Sequence, residues 1–271
     1  MYKRQFHGRS IATLSATGNP SVRADFSPYT EGFIFVDESD LDGIRKIVEE
    51  NKNVVAIFFE PILGEGGVVP IDLSVIKGIR EICDEHDLLM MCDEVQCGMG
   101  RSGKWFAHQW AEIKPDVITM AKGLAGGVPV GAVIVSEKAN IFKPGNHGST
   151  FGGNPLAMRA ALETLSIIED EKLVENALEV GKKLKKALSK SLNGFPGVRG
   201  IRGKGLMLGI VLDRDAHDIL ELGLKAGLTF SVTAGNVIRL VPALTITEAE
   251  ADELVKRITP VIRSFLAQPK I

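Results

Sequence analysis

Val54-Val55-Ala56-Ile57-Phe58-Phe59, halted by Glu60-Pro61, and Leu88-Leu89-Met90-Met91-Cys92, halted by Asp93, decide the fold. Each is a short unbroken apolar run, the pattern of a strand covered on both faces and left with no solvent side to keep polar. Between them Asp72 stands where it caps a helix, and Leu73, Ile76, Ile79, Ile82 and Cys83 recur at helical spacing behind it. Strand, helix, strand is the repeating unit of a parallel sheet, so the expected class is α/β.

Outward from that unit, residues 117–120 and 130–135 form two further apolar runs, with Gly123, Gly126, Gly127 and Pro129 breaking the chain between them. From Pro155 the pattern changes to long amphipathic helices over 156–168 and 173–192, the second with a lysine-rich outer face. The expected division is a larger, mostly parallel α/β lobe over 1–172 and a smaller α+β lobe over 173–271. The latter reads as a strand in 205–212, a helix over 219–226, a strand over 237–240 and a last helix opened by the capping box Thr247-Glu248-Ala249-Glu250. Pro260 is expected to kink that helix.

With 271 residues, 45% hydrophobic and 24% charged, the chain has ample material for a buried core, and its length favours two lobes. A net charge of −2 argues against a nucleic-acid surface, which needs a basic face, and leaves a small molecule as the expected partner. Cys83, Cys92 and Cys97 lack paired metal spacing and read as reduced intracellular thiols. No apolar leader follows Met1 and no run is long enough to span a bilayer, so the expectation is a cytoplasmic protein. His7, His86, His108, His147 and His217 show no ligand spacing, and no metal is expected.

In an open parallel sheet, ligands sit at the carboxyl ends of the strands, where Glu60, Asp93 and Lys122 each follow an apolar run. Asp93 heads into an apolar interior and needs a cationic partner there, although a helix cap or a turn acid is the commoner fate of such a residue. Lys122, in Thr119-Met120-Ala121-Lys122-Gly123, stands among small residues that would desolvate its amine and lower its pKa. Such a pair suits pyridoxal phosphate, whose aldehyde bonds to lysine while an aspartate holds the pyridine nitrogen; a plain salt bridge fits the spacing nearly as well. The loops around Gly98, Gly100 and Gly103 and around Gly148, Ser149, Thr150, Gly152 and Gly153 could surround a phosphate or simply open a helix. Arg9, Arg101 and Arg239 are weighed as forks for a substrate carboxylate. Arg239 lies within the strand-like Val237-Ile238-Arg239-Leu240-Val241 and there needs an acid such as Glu65.

Five motifs then occur in order: Phe6-His7-Gly8-Arg9, Glu60-Pro61-Ile62-Leu63-Gly64-Glu65-Gly66-Gly67, Asp93-Glu94-Val95-Gln96, Ala121-Lys122-Gly123, and His147-Gly148-Ser149-Thr150-Phe151-Gly152-Gly153-Asn154-Pro155. Together they resemble the class III pyridoxal-phosphate-dependent aminotransferases, over nearly the whole chain. The resemblance implies fold-type I and a homodimer with shared active sites. Lys122 would bond to the cofactor and shuttle a proton, Asp93 would hold the ring nitrogen and Gln96 the phenolic oxygen. Phe6 and Val95 would stack on the two ring faces, and Thr150 would bind the phosphate of the neighbouring subunit's cofactor. Arg9 would take the distal carboxylate of an ω-amino substrate, with Ser149 also at the substrate, while Arg239 takes the α-carboxylate of glutamate and Glu65 masks it in between.

Within the family, residues 231–239 and 97–101 look most like the acetylornithine branch of arginine synthesis, with the ornithine branch next and 4-aminobutyrate a further alternative. The implied reaction moves the δ-amino group of N-acetylornithine to 2-oxoglutarate by a ping-pong mechanism. The family carries a long segment ahead of the Phe6 motif, including a phosphate-binding turn. The expectation is therefore an N-terminally truncated chain with a non-native start over Met1-Tyr2-Lys3-Arg4-Gln5, and a non-catalytic fragment is the rival reading.

Overall fold

A computed structural model describes residues 1–37 and 39–269; the expected lobes also extend over Glu38, Lys270 and Ile271, which lie outside the described residues. After two short helices, Ile11–Ala16 and Pro20–Arg23, helix α1 (Leu41–Glu50) leads into β1 (Ala56–Phe59). Helix α2 (Leu73–Glu85) and β2 (Leu89–Asp93) complete the expected unit, followed by β3 (Val117–Met120) and β4 (Ala132–Val135). The sheet order is β1-β2-β3-β4, the first three strands parallel and β4 antiparallel to β3.

The apolar runs around β1 and β2 are covered by α1 and α2 on one face only, so burial alternates along them and Val55 stays exposed, against the expectation of cover on both faces; on the covered face Phe59, Ile79, Ile82 and Met90 pack together with almost no exposure. Burying one such side chain contributes about 1.5–3 kcal/mol, so these few residues fix the sheet's register. In that register Phe59 lies opposite Cys92 and Asp93 opposite Thr119, which brings the ends of β1, β2 and β3 to one edge. The run at 130–135 behaves differently: all four residues of β4 are exposed and, among the described residues, none joins a packed apolar cluster, whereas β1 at the other end of the sheet buries Ile57 and Phe59 under the helices.

Helices α3 (Pro155–Asp170) and α4 (Leu173–Leu192) precede a second sheet of β5 (Val198–Lys204), β6 (Met207–Leu212), β7 (Ser231–Thr233) and β8 (Val237–Leu240). Its order is β5-β6-β8-β7, antiparallel throughout. Helix α5 (Ile219–Lys225) lies between β6 and β7 in the chain, and α6 (Glu248–Ala267) follows β8. Leu184, Leu188, Leu208, Ile210, Ile258 and Ile262 form the core between helices and sheet. Thr247 and Glu250 make the expected capping box, and Pro260 lies inside a helix that continues past it.

Three contacts fasten this layer to the first sheet's edge. Arg202 on β5 donates from Nε and Nη2 to the Gly67 carbonyl at 3.0 and 2.7 Å. Leu206 N donates to the Arg101 carbonyl at 3.0 Å, and the Thr233 hydroxyl donates to the carbonyl of Glu65.

Candidate active site

Asp93 ends β2 with 6% exposure, and both carboxylate oxygens are occupied. Oδ1 accepts from Val95 N at 3.0 Å and the Thr119 hydroxyl at 3.1 Å, while Oδ2 lies 2.6 Å from His7 Nδ1. His7 is held in turn by stacking on Phe58, with ring centroids 4.1 Å apart, and by Gln5 Oε1 2.9 Å from Nε2. The cationic partner that Asp93 requires inside an apolar layer was sought in Lys122; the direct contact is the imidazole. A carboxylate gripped on three sides cannot rotate, which fixes the direction from which a further donor meets it.

Lys122 opens a single 3₁₀ turn, Lys122–Ala125, and holds φ +48°. Left-handed backbone costs a non-glycine residue about 1–2 kcal/mol, and such strain is concentrated where a side chain must be aimed. The amine makes no hydrogen bond or ion pair among the described residues. Desolvation lowers its pKa below the usual lysine value, with Asp93, Glu60 and Glu65 opposing that fall and Arg239 adding to it. Lys122 is exposed as a residue, and the charges that bear on its amine come from the ends of β1 and β2, from the Glu65 turn and from β8.

Arg239, in the middle of β8, donates from Nη1 to Glu65 Oε1 at 2.8 Å and to Gln96 Oε1 at 2.9 Å, and from Nε to the Ser231 hydroxyl at 3.0 Å. Gln96 Nε2 also reaches Glu65 Oε1 at 3.3 Å. The expected acid for this strand arginine is therefore Glu65, with Gln96 as an unforeseen third member. Gly64 permits the arrangement, since a Cβ there would fall 2.2 Å from Gln96 Oε1.

Phe6 and Arg9 come together, the guanidinium 5.7 Å from the ring centroid, with Arg9 open to solvent. Phe6 N donates to Glu60 Oε1 at 2.8 Å. Val95 and Asp93 also face a cavity of about 840 Å³ that runs under β1 past Phe58, Ile44 and Val48. Ser149 and Thr150 are not brought to Asp93, Lys122 or Arg239; they lie in an exposed segment where the Ser149 hydroxyl accepts from Gly152 N at 3.0 Å.

Two candidates from the sequence have other employment. Arg101 is half-buried: its Nη1 donates to the carbonyls of Leu206 and Pro242, and desolvation lowers its pKa to about 10. The Gly98–Gly103 loop is packed rather than open to a phosphate, with Gly103 against Leu178 and the Gly205 backbone against Ser102. The three cysteines are buried and free. His7 and Thr119 received no role from sequence, and Glu60 only a place at the strand ends beside Asp93 and Lys122; the one motif that held His7 was Phe6-His7-Gly8-Arg9.

The class-III aminotransferase family model matches residues 1–262. Acetylornithine aminotransferase 1 of Bordetella bronchiseptica is 49% identical over 97% of this chain and 67% of its own length, and acetylornithine aminotransferase of Nitrosomonas europaea is 46% identical over the same shares. The ornithine aminotransferase of Toxoplasma gondii, whose structure shows partial occupancy of PLP at its active site, superposes with a TM-score of 0.92 at 33% identity, over 97% of this chain and 63% of that one. The chain thus spans about two thirds of the length of the relatives it matches. No helix among the described residues is long and apolar enough to cross a membrane. A fixed acid at one strand end, an unbonded lysine at the next and a masked arginine across from both agree with these likenesses, and the chain belongs to the class-III aminotransferases, pyridoxal-phosphate-dependent transaminases of α/β fold.

Proposed function

We propose that this crevice transfers the δ-amino group of N-acetylornithine to 2-oxoglutarate, with pyridoxal 5'-phosphate bonded to Lys122. The observation that carries the reading is the fixed Asp93 carboxylate at one strand end, with the Glu65–Arg239 pair held beside Gln96 and a Lys122 amine that makes no bond of its own among the described residues. The residues fit the cofactor: an immobilised carboxylate awaits a protonated ring nitrogen, an unbonded amine awaits an aldehyde, and Phe6 and Val95 are tied by their own N–H groups to Glu60 and Asp93. When bound, the cofactor supplies a carbonyl for the incoming amine and an electron sink.

The chain's residues do the rest. Asp93 holds the ring-nitrogen proton, and His7, Val95 N and Thr119 keep that carboxylate aimed. The lowered pKa of Lys122 leaves more of its amine neutral and able to take a proton from the substrate carbon and return it. Gln96 offers its amide to the phenolic oxygen. While Glu65 pairs with Arg239, the pocket presents no free cation there and accepts the free δ-amine of the α-acetylated substrate, whose carboxylate goes to exposed Arg9. When glutamate or 2-oxoglutarate enters, the pair opens and Arg239 takes the α-carboxylate.

The active form we propose is a homodimer in which Thr150 reaches the partner's cofactor phosphate and Ser149 its substrate. The exposure of Phe151 at 81%, Leu156 at 72% and Ile141 at 72% supports that reading, since a second copy would cover them. The test is the absorbance spectrum with the cofactor, before and after borohydride, beside Lys122→Ala. A reducible band lost in the variant is expected, and its persistence there would overturn the assignment. Rates with N-acetylornithine, ornithine, succinylornithine and 4-aminobutyrate, compared side by side, then test the donor, for which N-acetylornithine is expected to be fastest.

A further inference from the structure

Glu60 is the most deeply buried carboxylate at the crevice after Glu94, with 2% exposure, and the transfer mechanism above leaves it without a task. Among the described residues no cation is hydrogen-bonded to it. Its Oε1 accepts from Phe6 N at 2.8 Å and its Oε2 from Gly64 N at 2.9 Å. Burial pushes its pKa up to about 8, against the pull of those two N–H groups; Asp93 adds to the rise and Lys122 opposes it. Filling space at the end of β1 does not call for an acid, since an apolar side chain of that volume is cheaper to bury.

The donors explain the choice. Phe6 lies far back in the chain and Gly64 just ahead of Glu60, so only a side chain with two acceptor atoms joins both. Each donor leads directly to a working residue: Phe6 carries the ring proposed to stack on the cofactor, and Gly64 precedes Glu65, which covers Arg239. The ribbon of Ile62–Leu63 with Val69–Pro70 fixes the base of the second segment, and Glu60 fixes its tip.

We propose that Glu60 is a positioning residue whose two carboxylate oxygens clamp the Phe6 segment to the Gly64-Glu65 turn, setting the gap between the cofactor's stacking face and the acid that masks Arg239. The proposal rests on the reading of this crevice as the cofactor site, and its test separates the two. Amide hydrogen exchange at Phe6 and Gly64 is followed in the cofactor-free chain for the parent, for isosteric Glu60→Gln and for Glu60→Asp, which keeps the carboxyl group but is too short to bridge. The cofactor dissociation constant is measured for the same three proteins.

A glutamine keeps one acceptor and turns an NH₂ toward the other donor, so one of the two amides is expected to exchange at least about tenfold faster, the equivalent of one lost hydrogen bond. Cofactor affinity is expected to fall in step, and Glu60→Asp to lose protection at one or both amides. A residue that only fills space would leave Glu60→Gln like the parent; unchanged exchange at both amides in either folded variant overturns the clamp. Loss of amide protection with unchanged cofactor affinity overturns the link to the site. Retention of the reducible band in Lys122→Ala overturns the reading of the crevice, whatever the amides do.

Discussion

Strands β2 and β4 are both apolar runs in one sheet, yet they end in opposite situations. β2 is an interior strand, covered by α2, and delivers Asp93 into a place where every carboxylate oxygen has a donor. β4 is an outer strand whose Val133 and Ile134 are 61% and 49% exposed, and the apolar surface continues through Ile141, Phe142, Phe151 and Leu156. Helical cover, not hydrophobicity, sets burial, since β1 is an end strand as well and buries Ile57 and Phe59. One region is packed by its own chain; the other leaves its apolar side chains exposed.

The hardest blow to the completed region is Asp93→Asn. Removing one charge from a buried, fully bonded group costs about 3–5 kcal/mol, so steady-state turnover is expected to fall by roughly 10²–10⁴-fold, with His7 losing its anionic partner. A loss below tenfold would mean that the grip on Asp93 is structural only.

Arg239→Ala sharpens the contrast between the two substrates. Losing a charge-assisted pair of about 1.5–3 kcal/mol should raise the KM for 2-oxoglutarate roughly 10–100-fold, while single-turnover reaction with N-acetylornithine stays near the parent's. Equal losses in both half-reactions would remove the masking role of Glu65.

Glu60 gives a pH signature. Its folded pKa of about 8 lies above its ordinary 4.5, so its protonated form is favoured by folding; the resulting stabilisation is full below 4.5 and is lost as pH rises toward 8. Denaturant unfolding of the parent should therefore weaken between those values relative to Glu60→Gln, at up to about 1.4 kcal/mol per pH unit. Parallel curves would contradict the raised pKa.

The smallest effect on stability belongs to the open region. Phe151→Ser removes an exposed side chain and should change unfolding by no more than about 0.5 kcal/mol, while sedimentation shows weaker self-association. A large loss of stability would place Phe151 in a core instead.

Much of the crevice was legible because a charge that ends or interrupts an apolar run announces itself: Asp93 and Lys122 follow such runs, and Arg239 within a strand demanded an acid. What could not be read is what stands opposite. His7 meets Asp93 across 86 positions, and nothing local encodes that approach. Arg101 looks like any substrate arginine until the carbonyls of Leu206 and Pro242 are placed beside it. The run at 130–135 carries the same pattern as the run that became β2, and only the helices packed on β2 and not on β4 tell them apart.

The backbone that bears Glu65 is pinned to the second sheet independently of its carboxylate: Thr233 holds the Glu65 carbonyl and Arg202 the Gly67 carbonyl. Freeing Arg239 therefore asks for no separation of the two layers, only rotation of one half-exposed side chain about its own bonds. Such rotations take picoseconds to nanoseconds, against microseconds to milliseconds for hinged lobes. Alternation between the two substrates is then fast on the scale of turnover, and the chain changes specificity without a clock of its own.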